Sequence, residues 1–374
     1  MTPLKKILLD EIKANGPMRL EDYMQRALAD PTHGYYMQRQ PFGESSQHGG
    51  DFITAPEVSQ MFGELLGAWL ADLWQRMGAP EPFCLAELGP GRGTLMADIL
   101  RAARVLPDFI AAMQVHFVET SPHLRAAQKQ LVPHAVWHDT LNDLPDMPTL
   151  LIANEFFDAL PVQQYRKDGD SWRPIEVTAE GDSLVLSAGD KQATPFSDAL
   201  TACLPAPLNE ALNEAVIVES AAAVEHAMQN VTEHIAKYGG SALIIDYGHA
   251  EPASGDSFQA LRGHAPVDPL AEPGLADLTA HVNFPLLAHI AQRAGLVAAP
   301  IIEQGLFLEA LGLSLRAQQL KEISPERTAD IESERHRLAA PQEMGALFKV
   351  LAVAHEDMPP LAGFEAGFET ELGS

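Results

Sequence analysis

The feature that most constrains the fold is a glycine-rich turn placed directly after a short apolar segment. Phe83–Leu88 is the apolar segment, residues 89–93 read Gly-Pro-Gly-Arg-Gly, and helical spacing follows from Thr94 to about Arg104. An apolar strand that enters a helix through glycines is typical of a parallel βαβ unit. The free N–H groups and the positive dipole end of such a helix attract carboxylate or phosphate groups. The turn therefore predicts an α/β fold that holds a ligand at this strand end.

Further apolar segments alternate with helical ones. Four more strands of the main sheet are expected, at residues 115–119, 135–138, 149–153 and 241–245. Because parallel strands need helical crossovers that cover both faces, this alternation predicts a mostly parallel sheet with helices on each side. Residues 161–190 instead alternate around two Asp/Gly turns, which predicts a small antiparallel meander inserted between the fourth and fifth parallel strands.

These patterns divide the chain into four segments. Residues 1–80 are expected to form a helical N-terminal extension with a turn-rich loop suited to a lid. Residues 81–160 and 241–374 are expected to be the two parts of the α/β domain, the second with substrate-side insertions. Residues 161–240 hold the meander and a helical segment.

Charge and composition exclude several classes of protein. Lys plus Arg number 25 and Asp plus Glu number 51, so the net charge of −26 repels phosphate backbones, and no nucleic-acid partner is expected. No apolar run of about 18 residues predicts a membrane span. Two cysteines, Cys84 and Cys203, provide neither a disulfide framework nor a metal site. With no leader pattern in residues 1–11, the sequence predicts a cytoplasmic protein; its oligomeric state is left open.

Two cofactor classes compete for the glycine turn. The dinucleotide fingerprint needs glycine at position 94, where this chain has Thr94. The pattern formed by Glu87, Gly89, Gly91 and Gly93 resembles the first motif of class I S-adenosylmethionine-dependent methyltransferases. The resemblance implies a Rossmann-like, mostly parallel sheet of seven strands, with S-adenosylmethionine as cofactor and S-adenosylhomocysteine as product.

The same resemblance assigns roles to three acidic residues. It implies that Glu87 faces the amino-acid part of the cofactor, above the glycine turn. It further implies that Glu119 accepts hydrogen bonds from the ribose hydroxyls and that Asp139 meets the adenine amino group. Each acid by itself is more often a solvated charge at a strand end, but three of them in register with a glycine turn favour cofactor binding.

The segment after the fourth strand is the candidate acceptor site. Glu155 and Asp158 supply two carboxylates beside Asn154, which is also expected at the cofactor. A guanidinium is cationic and hard to deprotonate, so a methyltransferase that acts on it must clamp and orient it. Paired carboxylates do this through charge-assisted hydrogen bonds. The alternative is a solvated turn with the neighbouring phenylalanines in the core.

Further polar groups follow, at residues 246–249, 262–269 and 274–281. Their His, Asp and Tyr side chains fit site-lining loops or structural turns equally well. No spacing typical of a metal site occurs.

Taken together, these residues resemble the MidA family, relatives of a mitochondrial complex I assembly factor described as a protein arginine methyltransferase. Further shared segments lie at residues 33–36, 49–59, 62–64, 276–281 and 304–308. The chain departs from some relatives at Ala55 and Asn283, where Ser and Asp are expected. The resemblance implies symmetric dimethylation of an arginine in a protein substrate, a complex I core subunit. It also implies that Thr54 belongs to a lid near the carboxylate end of the cofactor.

Three alternatives remain open from the sequence. Residues 154–157 loosely resemble the N-P-P-Y loop of amide and adenine methyltransferases, although both prolines are absent, so another nitrogen is a possible acceptor. An assembly or binding factor that uses the cofactor only for its shape would dock partners through residues 161–190 or 250–281. A dehydrogenase is the third alternative, and Thr94 argues against it.

Overall fold

The computed structural model describes residues 1–38, 54–193, 195–204, 216–263 and 265–364. Residues 49–53 and His264, which belong to the segments singled out above, lie outside these ranges. The helices are α1 (Pro3–Asn15), α2 (Leu20–Ala29), α3 (Tyr35–Gln38), α4 (Ala55–Val58), α5 (Gln60–Arg76), α6 (Thr94–Ala103), α7 (Pro107–Ala112), α8 (Pro122–Leu131), α9 (Asp198–Ala202), α10 (Ala222–Tyr238), α11 (Phe284–Arg293), α12 (Gln304–Ala310), α13 (Leu313–Ile323), α14 (Thr328–Ala339) and α15 (Met344–Leu347). The strands are β1 (Met18–Arg19), β2 (Phe83–Leu88), β3 (Met113–Val118), β4 (Val136–His138), β5 (Thr149–Asn154), β6 (Gln163–Asp168), β7 (Ser171–Glu180), β8 (Ser183–Ala188), β9 (Ile217–Ser220), β10 (Gly240–His249), β11 (Gln259–Arg262), β12 (Ala265–Val267), β13 (Asp277–Thr279), β14 (Val282–Asn283), β15 (Val297–Ala298), β16 (Ile302–Glu303) and β17 (Phe348–Ala354).

The chain forms two compact units, each built from separate stretches of sequence. The first unit comprises Met1–Phe52, Phe157–Ala227 and Glu251–His289, and the second comprises Ile53–Phe156, Met228–Ala250 and Ile290–Ser374. Each unit groups residues that contact one another in space, whereas each of the four segments expected from the sequence is a continuous stretch of chain. The four-segment division stays a prediction.

The second unit contains the predicted parallel sheet. Seven strands follow the order β15-β17-β10-β5-β2-β3-β4. The five from β10 to β4 pair in parallel, and β17 pairs antiparallel with β10. Strands β2 and β5 are buried along their whole length, as expected for the centre of a sheet covered on both faces. The α/β fold class predicted from the sequence is confirmed.

Strand register aligns the ends of these parallel strands. Leu88 lies beside both Val118 and Ala153, and Ile245 lies beside Asn154. Val118 in turn pairs with His138. The residues that end or follow these strands, Glu87, Glu119, Asp139 and Asn154, therefore lie along one edge of the sheet.

Helix α5 packs closely on α6 within the second unit. A Cβ at Gly63 would lie 2.5 Å from Cβ of Asp98, and one at Gly67 would lie 3.0 Å from the carbonyl oxygen of Ile99. Two glycines one helical turn apart thus let the two backbones approach, which fixes α6 and the glycine turn before it against the core.

The first unit contains the predicted meander. Strands β6, β7 and β8 pair antiparallel in sequence, and the sheet extends to β1 on one side and β9 on the other. Strands β12, β11 and β13 form a separate three-stranded sheet. The buried amide of Gln163 accepts the N–H of Leu20 at 3.0 Å and donates to the carbonyl of Ile175 at 2.7 Å, so it joins α2 to the meander.

Within the described ranges, no helix is both long enough and apolar enough to span a membrane.

Candidate active site

The glycine turn adopts a backbone that other residues rarely adopt. Gly89, Gly91 and Gly93 have φ values of 57°, 52° and 86°. A Cβ on Gly89 would lie 3.0 Å from Cδ2 of Phe156, which is closer than an unstrained contact. Because positive φ is costly for residues with a Cβ, glycine is required here for both space and conformation. Because these three positions carry no side chain, a ligand can approach the backbone closely at the N-terminus of α6.

Glu87 is a buried carboxyl at the end of β2. Only 3% of its surface is exposed, and its Oε2 has no hydrogen-bond partner among the described residues. Burial raises the pKa of Glu87 to about 8. An unpaired buried acceptor is unfavourable, so this atom fits a ligand that donates a hydrogen bond or carries a positive charge.

Asn154 supplies a second buried acceptor at the end of β5. Its Nδ2 donates to Oε1 of Glu155 at 3.2 Å, while its Oδ1 lacks a partner in the part of the chain that the structure describes. Two unpaired acceptors on central strands of one sheet, beside a glycine cradle, fit the amino and hydroxyl donors of S-adenosylmethionine. The residues present are therefore suited to that cofactor.

Glu119 is held by a network that the sequence analysis missed. Its carboxylate accepts the N–H of Ser121 at 2.7 Å and the side-chain amide of Gln128 at 3.2 Å. The same amide donates to the carbonyl of Gly91 at 2.7 Å, and the Gln128 carbonyl accepts the indole N–H of Trp137 at 2.8 Å. Burial raises the pKa of Glu119, and these hydrogen bonds oppose that shift. Gln128 thus ties the glycine turn to Glu119.

Asp139 lies at a more exposed position. Its side chain is 78% exposed and pairs with Nη2 of Arg125 at 2.6 Å. Nε of Arg125 donates to the carbonyl of Glu119 at 2.7 Å. The ion pair therefore anchors Asp139 next to Glu119, and its role toward adenine stays a prediction.

Glu155 has an unusual backbone for a residue with a side chain. Its φ is 51°, and its N–H donates to the carbonyl of Ile245 at 2.9 Å. Its Oε1 accepts the N–H of Ala55 at 3.0 Å as well as the amide of Asn154. Strained residues of this kind persist where neighbouring contacts over-determine them, and they cluster at functional sites.

Asp246 fixes the segment that follows Glu155. It is fully buried, and its two carboxylate oxygens accept the N–H groups of Phe156 at 3.1 Å and Tyr247 at 2.8 Å. Within the polar group at residues 246–249, Asp246 therefore has a positioning role in the structure.

Asp158 belongs to the first unit, whereas Asn154 and Glu155 belong to the second. In the first unit the carbonyl of Asp158 accepts the N–H of Ala280 at 3.0 Å. The hydroxyl of Tyr36 donates to Oδ1 of Asp277 at 2.8 Å, and the charges of Asp277 and Asp158 both act on this hydroxyl. Desolvation raises the pKa of Asp158 to about 7. Tyr36 and Asp277 are thus polar neighbours of Asp158 that the sequence analysis did not connect with it.

Thr54 directly precedes α4. Its carbonyl accepts the N–H groups of Glu57 at 2.8 Å and Val58 at 3.0 Å, which begins the helix. The expected contact between its side chain and the cofactor stays a prediction. Among the described residues, no group of three or more His, Cys, Asp or Glu side chains is arranged to hold a metal ion.

Known proteins match this chain over most of its length. A family described as "Putative S-adenosyl-L-methionine-dependent methyltransferase" matches residues 65–302. A curated relative from Drosophila melanogaster, named protein arginine methyltransferase NDUFAF7 homolog, mitochondrial, is 38% identical over 96% of this chain and 88% of its own. The Mus musculus protein arginine methyltransferase NDUFAF7, mitochondrial, is 35% identical over 94% of this chain and 84% of its own.

A solved structure matches as well. A superfamily member from Burkholderia thailandensis, crystallised bound to S-adenosyl-homocysteine, superposes with a TM-score of 0.82 at 25% identity, covering 97% of this chain and 94% of that one. The predicted cofactor, S-adenosylmethionine, and the predicted methyltransferase activity are therefore confirmed.

The predicted cytoplasmic location is contradicted by these comparisons. The curated relatives from Drosophila melanogaster, Xenopus laevis and Mus musculus are all named as mitochondrial proteins. The prediction rested on the composition of residues 1–11 and on two cysteines, and two cysteines without a disulfide framework indicate only a reducing compartment.

The resemblance to the MidA family found in the sequence is confirmed by the same relatives. The match over more than half of the chain and the identities above 30% show that the chain belongs to this family of S-adenosylmethionine-dependent methyltransferases.

Proposed function

We propose that this enzyme transfers a methyl group to a guanidinium nitrogen of an arginine in a protein substrate. The observation that carries the proposal is the pair of unpaired buried acceptors, Glu87 Oε2 and Asn154 Oδ1, beside a glycine cradle. These two acceptors support the assignment of a pocket for the methyl donor at this edge of the sheet. The relatives named protein arginine methyltransferase support the choice of acceptor.

The donor side is assigned to one edge of the parallel sheet. In the proposal, Glu87 and Asn154 accept hydrogen bonds from the amino-acid part of the cofactor, and Gly89, Gly91 and Gly93 provide its backbone cradle. Thr54 is assigned to the carboxylate end. Glu119 is assigned to the ribose hydroxyls and Asp139 to the adenine amino group. The two buried acids, Glu87 and Glu119, suit such donors because ionic hydrogen bonds recover the cost of desolvation.

The acceptor side is assigned to Asn154, Glu155 and Asp158. When bound, S-adenosylmethionine supplies an activated methyl group on a sulfonium. Glu155, fixed by Ala55 and Asn154, is proposed to hold the guanidinium so that one nitrogen points toward the donor. Such alignment supplies much of the rate in a displacement reaction.

Asp158 is proposed to take the proton that the nitrogen loses as its new bond to carbon forms. A general base works best with a pKa near the working pH, and burial raises the pKa of Asp158 to about 7. Burial, and then the charges of Asp277 and Asp158, raise the pKa of Tyr36, which makes this hydroxyl an electrostatic neighbour of the proposed base. In this step the arginine gains one methyl group and releases one proton.

The finer substrate assignment rests on the MidA family resemblance. We propose symmetric dimethylation of an arginine in a respiratory complex I core subunit. The test is mass spectrometry of complex I subunits from cells with and without this protein. Loss of one or two methyl groups from a single arginine would support the assignment, and unchanged arginine methylation in every subunit would contradict it.

A second experiment distinguishes catalysis from a purely assembling role. The variants Glu155→Gln and Asp158→Asn are compared with the wild type in cells that lack the protein. If the proposal holds, both variants lose arginine methylation. If either variant restores substrate maturation while methylation is absent, the protein acts as an assembly factor that uses the cofactor for its shape.

A further inference from the structure

The short helix α4 is joined to the glycine turn through Glu57. The hydroxyl of Thr94, the first residue of α6, donates to Oε1 of Glu57 at 2.7 Å. Nη1 of Arg92, inside the turn, lies 4.0 Å from Oε2 of the same carboxylate. Only 16% of the Glu57 side chain is exposed, so water screens these contacts poorly. All three residues belong to the second unit.

Helix α6 lacks a capping group of its own. Its N-cap residue is Gly93, which has no side chain, and its first turn contains no acidic residue. A negative charge near a helix N-terminus interacts favourably with the helix dipole and the free N–H groups. Glu57, from a different element, supplies that charge at this end of α6.

The first residue of α4 contacts the loop after β5. The N–H of Ala55 donates to Oε1 of Glu155 at 3.0 Å, and Glu155 in turn accepts the amide of Asn154. At the end of α4, Oγ of Ser59 donates to Oε2 of Glu334 at 2.7 Å. We call residues 54–59 the bridging segment. It links the glycine turn to Glu155 and, through Glu155, to Asn154, whose Oδ1 has no partner among the described residues.

We propose that Glu57 is a positioning residue that holds the glycine turn in its cofactor-binding conformation and couples it to the bridging segment. Glu57 acts through Thr94 and Arg92, and it needs no contact with the cofactor. Because the loop after β5 is held by the same segment, occupancy of the cofactor pocket should also order residues 54–59. The inference concerns the methyl donor alone, so it does not depend on arginine being the acceptor.

The test measures binding of S-adenosylhomocysteine by calorimetry. Glu57→Ala should weaken binding roughly ten-fold, which corresponds to ~1.4 kcal/mol. Glu57→Gln loses the charge but keeps an acceptor for Thr94. Its affinity should therefore lie between those of Glu57→Ala and the wild type. Thr94→Val should weaken binding too, and its effect should not add to that of Glu57→Ala, because both remove the same interaction.

Glu64→Gln is the matched control. Glu64 is similarly buried, with 12% of its side chain exposed, and it pairs with Arg101 and Arg316, neither of which belongs to the glycine turn. Its loss should lower stability and leave the affinity for S-adenosylhomocysteine unchanged. Equal weakening by Glu64→Gln would show that the effect of Glu57 is one of general stability, and would overturn the inference.

Hydrogen exchange provides a readout that does not depend on activity. S-adenosylhomocysteine should slow amide exchange in a peptide that covers residues 54–62 of the wild type, and this protection should be lost in Glu57→Ala. Wild-type affinity and wild-type protection in the Glu57 variants would overturn the inference. Gly91→Val distinguishes failure of the Glu57 inference from failure of the proposed donor pocket. If this variant still binds S-adenosylhomocysteine, the donor pocket itself is wrongly assigned.

Discussion

The side-chain amide of Gln128 donates a hydrogen bond of 2.7 Å to the carbonyl oxygen of Gly91, in the middle of the glycine turn. The same side chain contacts Glu119 and Trp137, and no part of it is exposed. One residue of α8 therefore fixes both the turn after β2 and the carboxylate after β3. The geometry of the cofactor pocket depends on a side chain that need not touch the cofactor.

Gln128→Ala is expected to damage both folding and cofactor binding. It removes the partner of two part-buried groups, the indole N–H of Trp137 and the carbonyl of Gly91, which should lower the free energy of unfolding by roughly 2–4 kcal/mol. Chemical denaturation and calorimetry with S-adenosylhomocysteine measure the two effects. Gln130→Ala, on the exposed side of the same helix, is the control and should change neither quantity. Normal affinity in Gln128→Ala would contradict the proposed support of the turn.

Gly89→Ala is expected to reduce cofactor affinity because of both its backbone and its surroundings. Gly89 has φ of 57°, and an added Cβ would lie 3.0 Å from the Phe156 ring. The matched control is Gly181→Ala in the turn between β7 and β8, where φ is 62° and nothing lies within 4 Å of the added atom. Both variants should lose about 1–2 kcal/mol of stability from positive φ. Only Gly89→Ala should also lose binding of S-adenosylhomocysteine, and equal binding by both variants would count against the site.

Glu87 is expected to make the stability of the cofactor-free protein depend on pH. Its folded-state pKa of about 8 lies above the ordinary value of 4.5, so the folded state keeps a proton that the unfolded chain has released between these values. Its contribution is therefore fully present below about pH 4.5 and is lost as the pH rises through 8.

Glu87→Gln removes this titration. The variant should gain stability relative to the wild type as the pH rises from 5 to 8.5, with an upper limit on the order of 5 kcal/mol. Denaturation curves at several pH values measure the difference, with Glu180→Gln at the exposed end of β7 as control. The same variant should lose affinity for S-adenosylhomocysteine. A stability difference that stays constant with pH would contradict the raised pKa.

Local sequence pattern was sufficient for the elements that form the pocket. The strand β2, the glycine turn and α6 follow one another within about twenty residues, and their hydrophobic spacing and glycines are visible without any tertiary information. The meander was equally accessible, because its alternating strands meet at Asp/Gly turns. Because these predictions depend only on residues that are neighbours in the chain, the structure contains the elements that they describe.

Contacts between distant residues could not be read in the same way. Tyr36 and Asp277 are 241 residues apart, and Glu57 and Thr94 are 37 apart. No spacing rule links such pairs, since the tertiary fold alone brings them together. Gln128 gave a weaker signal, as a polar residue on the buried side of an amphipathic helix. Asp139 illustrates the reverse case, because a residue after the edge strand β4 is more exposed than its place in the motif suggests.

Asp158→Asn is expected to impair methyl transfer while leaving the donor pocket intact. As the proposed proton acceptor, Asp158 must be ionised, so kcat/KM of the wild type should rise with pH through a midpoint near 7, where burial has placed its pKa, and then reach a plateau. The variant should lose at least about 100-fold in kcat and should lack this pH dependence, since a general base contributes roughly 10²–10⁴-fold. Its affinity for S-adenosylhomocysteine should equal that of the wild type, because Asp158 is proposed to act on the acceptor nitrogen and not on the methyl donor. Asp170→Asn, in an exposed turn of the same unit, should leave rate and affinity unchanged. A wild-type pH profile in Asp158→Asn would assign proton removal to another group.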